Sequence, residues 1–355
     1  MGHVSQPTVR FALRTASIVL GSLVALTGLG GPVAAAGPAD LVKDINVAAA
    51  GSGATPVAAT GDSLYVSACR GDGQRAVYAI DGIGDTPRVL TEIGSCDGSA
   101  VWWAVDVGDL VFFTLSPGWS DLWVTDGTPD GTATLAHLWI EDPGVELDGI
   151  LYLSAREDGR GGQELWRSDG TADGTYRVKD IRGGSNGSFP RDLTRVGERL
   201  YFSAVTGSAG RELWRSDGTQ AGTVMVRDIN VSGDASPTEL TNVDSTLYFA
   251  ANDGSSGREL WTSDGSSGGT KRVRNIRPGS ASSSPQELTA YAGLLAFSAN
   301  DGSHGRELWV SDGTSSGTTM VRDIRSGASS SPRDLVQVGS RLLFSADMGG
   351  GDRDL

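Results

Sequence analysis

Carboxylates recur through this chain at fixed places, so the first question is what chemistry they could do. An acid stands two residues after a proline at Asp192, Glu239, Glu287 and Asp334. If the segments that carry them line a central channel, these four form a partial acidic ring that would attract a cation or a basic ligand; solvation and capping are the plainer roles. A second set, Glu164, Glu212, Glu259 and Glu307, precedes Leu-Trp, while Lys179, Arg227, Arg274 and Arg322 recur on the following segment. Opposite charges on adjacent strands predict cross-strand ion pairs. A third set lies in Gly-rich turns. Asp126 with Asp130, and Asp169 with Asp173, put two carboxylates four residues apart, as a calcium loop does. Later copies carry Ala221, Gly268 and Ser316 at the second place. A shared calcium site is therefore not expected, the first Asp reads as a turn former, and the sequence calls for no other cofactor.

Aromatic chemistry concentrates elsewhere. Trp102, Trp103, Trp119 and Trp139 fall in the irregular stretch 101–148, outside the repeated tryptophan position. They are candidates to stack on sugar rings, with divergent core packing as the alternative. Nothing reads as a nucleophile with its base. His3, His137 and His304 are scattered, and no HExxH, GxSxG or CxxC pattern occurs. Cys69 and Cys96 are the two cysteines, and outside the cytosol a pair predicts one disulfide.

The elements that must position these residues repeat. GRELWRSDGTQAGTVMVRDI, GRELWTSDGSSGGTKRVRNI and GRELWVSDGTSSGTTMVRDI align directly; QELWRSDGTADGTYRVKDI and SDLWVTDGTPDGTATL are earlier, looser copies. The recurring tryptophans are Trp123, Trp166, Trp214, Trp261 and Trp309, with Tyr78 in the same place one period earlier. Each unit holds four segments of alternating polarity, the pattern of strands rather than helices. The first follows the proline. The second is LYFSA-like and occurs seven times, from Leu64–Ala68 to Leu342–Ala346. The third carries ELW, and the fourth is VRDI-like. Ser-Asp-Gly-Thr between the third and fourth is hairpin chemistry: Asp accepts backbone N–H bonds and Gly takes the positive φ. Four strands per period of roughly 46 residues predict an all-β propeller of seven four-stranded blades. The segment Val42–Ile45 reads as a fourth strand that closes the last blade and removes two exposed sheet edges.

Arg10 and Arg14, the apolar run from Ala16 to Leu29 and the small residues Ala34–Ala36 predict a signal peptide over residues 1–36, with the propeller over 37–355. Its removal takes the formal charge from −14 to −16 and leaves 319 of 355 residues. That charge argues against nucleic-acid binding, because no basic excess exists to displace counterions. No second apolar run is long enough to span a membrane.

The repeat closely resembles the bacterial ELWxxDGT family. It matches fully at Glu164–Thr171, Glu212–Thr219 and Glu307–Thr314, and nearly at Glu259–Ser266 and Asp121–Thr128. The resemblance covers roughly residues 40–355, implies propeller-like secreted or surface proteins, and assigns no catalytic residue. The expected function is a non-enzymatic secreted scaffold that binds an extracellular protein or glycan through one propeller face. The alternatives are an extracellular enzyme acting on polysaccharide at the channel mouth and a part of a larger surface adhesin.

Overall fold

The computed structural model describes residues 54–354, apart from 61–62, 83–84, 97–100, 116–117, 159 and 350–352. The segments 1–36 and Val42–Ile45 lie outside the described residues. Every described element is a strand, and all pairings are antiparallel.

The strands fall into seven consecutive units. Unit 1 holds β1 (Thr55–Thr60), β2 (Ser63–Cys69), β3 (Gln74–Ile80) and β4 (Arg88–Ser95). Unit 2 holds β5 (Trp103–Val107), β6 (Leu110–Thr114), β7 (Gly118–Thr125) and β8 (Ala133–Ile140). Unit 3 holds β9 (Val145–Leu147), β10 (Ile150–Glu157), β11 (Arg160–Ser168) and β12 (Tyr176–Lys179). Unit 4 is β13 (Arg191–Val196), β14 (Arg199–Thr206), β15 (Gly210–Ser216) and β16 (Val224–Arg227). Unit 5 is β17 (Thr238–Val243), β18 (Thr246–Asn252), β19 (Arg258–Ser263) and β20 (Lys271–Arg274). Unit 6 is β21 (Gln286–Tyr291), β22 (Leu294–Asn300), β23 (Arg306–Ser311) and β24 (Thr319–Arg322). Unit 7 is described through β25 (Arg333–Val338), β26 (Arg341–Asp347) and β27 (Arg353–Asp354).

Units 1, 4, 5 and 6 are separate four-stranded meanders. The first strands touch in series, β1 to β5, β5 to β9, β9 to β13, and on through β17 and β21 to β25. They form the inner side of a propeller-like array. Units 2 and 3 depart from this plan. The linker between fourth and first strands spans 180–190, 228–237, 275–285 and 323–332 in the regular part, but only 141–144 between units 2 and 3. With so little chain to turn on, β8 runs straight on and pairs with β10, Leu138–Ile140 opposite Ala155–Glu157. The shortened β9 covers only Ile150–Tyr152 and leaves that edge open. The result is one continuous eight-stranded sheet.

The repeated tryptophan is the inter-unit core. Trp214, Trp261 and Trp309 are each packed with residues of the preceding unit: Trp261 joins Leu213, Val226 and Ile229, and Trp309 joins Leu260, Val273 and Ile276. Trp261 and Trp309 also meet the phenylalanine of their own second strand, Phe249 at 6.4 Å and Phe297 at 6.5 Å between centroids. Burial of so large an apolar side chain is a main source of cohesion between sheets.

The Ser-Asp-Gly-Thr turns are as expected from their residues. Asp126 Oδ1 accepts from the Thr128 N–H at 2.8 Å and from its hydroxyl at 2.7 Å, and Asp169, Asp217 and Asp312 repeat this. Those bonds hold all four carboxyls below the usual carboxylate range. The turn glycine is needed twice over. At Gly127 φ is 86°, and a Cβ there would stand 2.7 Å from the hydroxyl oxygen of Tyr65 in the preceding unit. At Gly313 the intruding hydroxyl belongs to Tyr248.

Candidate functional site

The glutamates before Leu-Trp hold loops. Glu259 is fully buried, and its carboxylate accepts from the backbone N–H of Ile276 at 2.9 Å and of Ser283 at 3.0 Å, and from the Ser283 hydroxyl at 2.7 Å. Glu164 and Glu307 grip their own linkers in the same way, through Ser188 and Ser330. The cross-strand ion pair expected from sequence is not what these groups make. The basic partners reach outward to the next unit instead: Lys179 Nζ donates to the Thr223 carbonyl at 2.7 Å, Arg227 to Thr270 and Arg274 to Thr318, both at 2.6 Å. Adjacent strands fix which backbones are neighbours, but not where a long side chain ends.

Glu212 differs from its counterparts. Ala235 stands where they have Ser188, Ser283 or Ser330, so Glu212 accepts only backbone N–H bonds, from Ile229 and Ala235 among others. Burial pushes its carboxyl up to about 7, and the remaining hydrogen bonds offset this only in part.

The four acids after the prolines lie on the inner strands, each with a left-handed backbone: φ is 56° at Asp192, 59° at Glu239, 58° at Glu287 and 57° at Asp334. Each sits where its strand slips register against the second strand. At Glu239 and Glu287 the bulge aims the side chain toward the neighbouring unit, whereas Asp334 accepts from the Ser345 hydroxyl of its own unit at 3.2 Å. Glu239 accepts from the Leu288 N–H at 3.3 Å and Glu287 from the Asp334 N–H at 3.0 Å. Two residues on, Thr194, Thr241 and Thr289 donate to the leucine carbonyls of the next inner strand. At the same end, Arg211 crosses its second strand to the Ser203 carbonyl and the Phe189 carbonyl, and Arg258 and Arg306 reach back similarly. Desolvation lowers the pKa of all three guanidinium groups. The repeated Arg before ELW was the available sequence signal for this layer.

The end that carries the second-to-third hairpins and the linkers is also where three of the four irregular tryptophans sit. Trp102 immediately precedes β5, Trp119 lies at the start of β7 and Trp139 at the end of β8. Trp119 and Trp139 are direct cross-strand partners, and Arg156 of β10 is the next residue in the same row. The Arg156 guanidinium lies over the Trp139 ring, 4.6 Å from its centroid. The Trp139 indole N–H donates to Glu141 at 3.1 Å. Trp102 is 48% exposed, whereas Trp103 is buried in the core shared by units 2 and 3. The Trp119 side chain lies outside the described residues.

On unit 3, a cleft of about 720 Å³ runs along β11 and β12. Its walls include Glu157, Trp166, Tyr176, Arg177 and Asp180. Glu157 follows Arg156 directly and pairs with Leu138 of β8, so this cleft and the tryptophan row share a strand end. Asp180 belongs to the repeated VRDI-like segment, but no periodicity marks Glu157 or Arg177, and the shortened spacing between Trp123 and Trp166 was the signal for this place.

Two loops at this end are fastened differently from the rest. Cys69 and Cys96 form a disulfide, Cα atoms 5.6 Å apart, that ties the linker after β4 to the end of β2. In unit 2, Asp121 holds the glutamate place. It has no long linker to hold and meets His137 Nδ1 at 2.8 Å. His304 is bound by Asp301 at 2.7 Å, and that hydrogen bond raises its pKa. Among the described residues, no group of three or more His, Cys, Asp or Glu is arranged to hold a metal ion. Nor, among them, is any helix long and apolar enough to cross a membrane.

No family model and no curated protein matches the chain. Solved structures do. A prolyl endopeptidase is 12% identical with a TM-score of 0.50, over 82% of this chain and 46% of that one. Puromycin hydrolase is 18% identical with a TM-score of 0.45, over 84% and 50%. BamB from Moraxella catarrhalis, a β-propeller protein, is 16% identical with a TM-score of 0.42, over 82% and 80%. The chain thus spans about half the length of the two hydrolases it matches. At such identities the likeness concerns the fold alone.

Proposed function

We propose that this chain is a secreted, non-enzymatic propeller scaffold of seven units, the last completed by Val42–Ile45, and that it binds an extracellular glycan where units 2 and 3 meet. The observation that carries the reading is the gathering of Trp102, Trp119 and Trp139 at one sheet end, where the Arg156 guanidinium lies over the Trp139 ring. The exposed Trp102 indole, with Trp139 and its partners Glu141 and Arg156 at the same sheet end, suits a sugar ring, whose apolar face stacks while its hydroxyls take hydrogen bonds. The regular units support a scaffold role, since their recurring charged groups are engaged in holding loops and neighbours. The Cys69–Cys96 disulfide fits an oxidising compartment, as does the signal-like segment 1–36.

The test is a glycan array followed by titration of the best binder. Trp102→Ala and Trp139→Ala should each weaken it by about tenfold or more, with thermal unfolding lowered by no more than a few degrees. An array without a binder, or variants that keep the parent's affinity, refutes the proposal.

A further inference from the structure

The walls of the cleft of about 720 Å³ on unit 3 are built from repeat positions, so each has counterparts in units 4 to 6. The residue directly opposite the tryptophan differs most. In units 4 and 6 it is a methionine: Met225 lies opposite Trp214 and Met320 opposite Trp309, and both pack against the core between units. In unit 5 it is Arg272, which reaches Asp253 at 3.0 Å. Arg177 and Glu157 hold those two places in unit 3, but Arg177 turns to Asp180 instead, at 3.5 Å. The bridge that spans unit 5 is thus replaced, and Glu157, Arg177 and Asp180 all line the cleft.

Trp166 lines it too. That side chain is 8% exposed, and its indole N–H has no hydrogen-bond partner among the described residues. In units 4, 5 and 6 the indole N–H groups of Trp214, Trp261 and Trp309 are likewise buried and unpartnered, and so is one side-chain oxygen of Asp228, Asn275 and Asp323, at Asp180's place in the repeat. A spare donor and a spare acceptor in one unit call for a small group that both accepts and donates. Water has that chemistry in a closed site. In unit 3 the corresponding indole N–H and Asp180 open on a cleft large enough for a whole small molecule.

The cleft's own groups select the class of molecule. A hydroxyl accepts and donates at one atom. An ammonium group cannot accept from the indole, and a carboxylate cannot donate to Asp180 and would meet two like charges, Glu157 and Asp180. We propose that the unit 3 cleft binds one neutral sugar residue or similar polyol. One hydroxyl accepts from the Trp166 N–H and donates to Asp180, and further hydroxyls meet Glu157 and Arg177. This site does not rest on the glycan reading above, which concerns the tryptophans at the sheet end, and either can fail alone.

The experiment uses the full chain with ¹⁵N-labelled tryptophan, the Trp166 indole signal being identified by its loss in Trp166→Phe. The probes are glucose, galactose, mannose and their methyl glycosides; a response to the glycosides alone marks a residue within a longer glycan, and a response to the free sugars marks a free ligand. At least one probe should move the Trp166 signal saturably. Asp180→Ala should weaken that response about tenfold or more. Arg177→Met imports the side chain that units 4 and 6 carry, so the fold should tolerate it, and it should weaken the response at least as much. Trp139→Ala should leave the titration unchanged, which separates this site from the tryptophans at the sheet end. No movement of the Trp166 signal with any probe, parent affinity in Asp180→Ala or Arg177→Met, loss of the response in Trp139→Ala, or a capped dipeptide that moves the signal as strongly as the best sugar would each overturn the proposal.

Discussion

Units 3 to 6 and units 1 and 2 differ in how one sheet hands over to the next. In the regular units a buried glutamate collects the linker's N–H groups, and a basic residue at the end of the fourth strand fastens the next unit. In unit 1 a disulfide takes over the tether. Between units 2 and 3 the linker is almost absent, and the sheet simply continues through β8 into β10. Regularity thus commits the charged residues of units 4 to 6 to holding the fold. Where the repeat breaks, side chains are released from that task, and the exposed aromatic and charged groups collect there.

The largest effect should come from the inter-unit indole. Trp214→Ala empties a seat in the packed core and should destabilise the protein by about 3–5 kcal/mol in denaturant unfolding. Trp139→Ala, half-buried at the break and held by a cation–π contact and an exposed hydrogen bond to Glu141, should cost about 1–2 kcal/mol. Equal costs would erase the distinction between the two regions.

Next comes the loop anchor. Glu259→Gln weakens two backbone bonds and one hydroxyl bond at a fully buried position and should cost about 2–3 kcal/mol. Asp121→Asn, at the same repeat position but with only a half-exposed histidine partner, should cost less than about 1 kcal/mol. Chemical unfolding of both variants measures the contrast.

A smaller effect separates members of the regular set. The Glu212 carboxyl titrates near 7 in the folded protein, against an ordinary value of 4.5. The folded state binds its proton more tightly, so its contribution to stability is fully present below about pH 4.5 and is lost as pH rises through about 7. Ala235→Ser restores the hydroxyl donor present in the other units and should lower that pKa. The variant's melting temperature should therefore fall less than the parent's between pH 4.5 and 7. Parallel curves would contradict the assignment.

Strand order, turn positions and the unit count were legible because they rest on local rules: alternation, the Asp-Gly hairpin and a fixed period. The Cys69–Cys96 bond was legible because the sequence holds two cysteines and so allows one pairing. The partners of Glu259 and Arg274 were not, because each reaches a group set by tertiary structure: a linker N–H 24 residues on for one, a neighbouring unit's carbonyl 44 residues on for the other. The left-handed backbone at Glu239 and Glu287 was hidden too, since nothing in Pro-x-Glu announces a bulge. Of the tryptophan cluster, sequence found the residues but could not tell the exposed Trp102 from the buried Trp103. Consecutive strand residues face opposite ways, and the strand's orientation was unknown.

The claim that the repeat's acids and bases are separate fasteners, one within a unit and one between units, is tested most directly by a double-mutant cycle on Glu259 and Arg274. Unfolding free energies of Glu259→Gln, Arg274→Met and the double variant should be additive within about 0.5 kcal/mol, because the two side chains hold different groups. A coupling of about 1 kcal/mol or more would mean that they form the cross-strand pair after all, and would contradict the account.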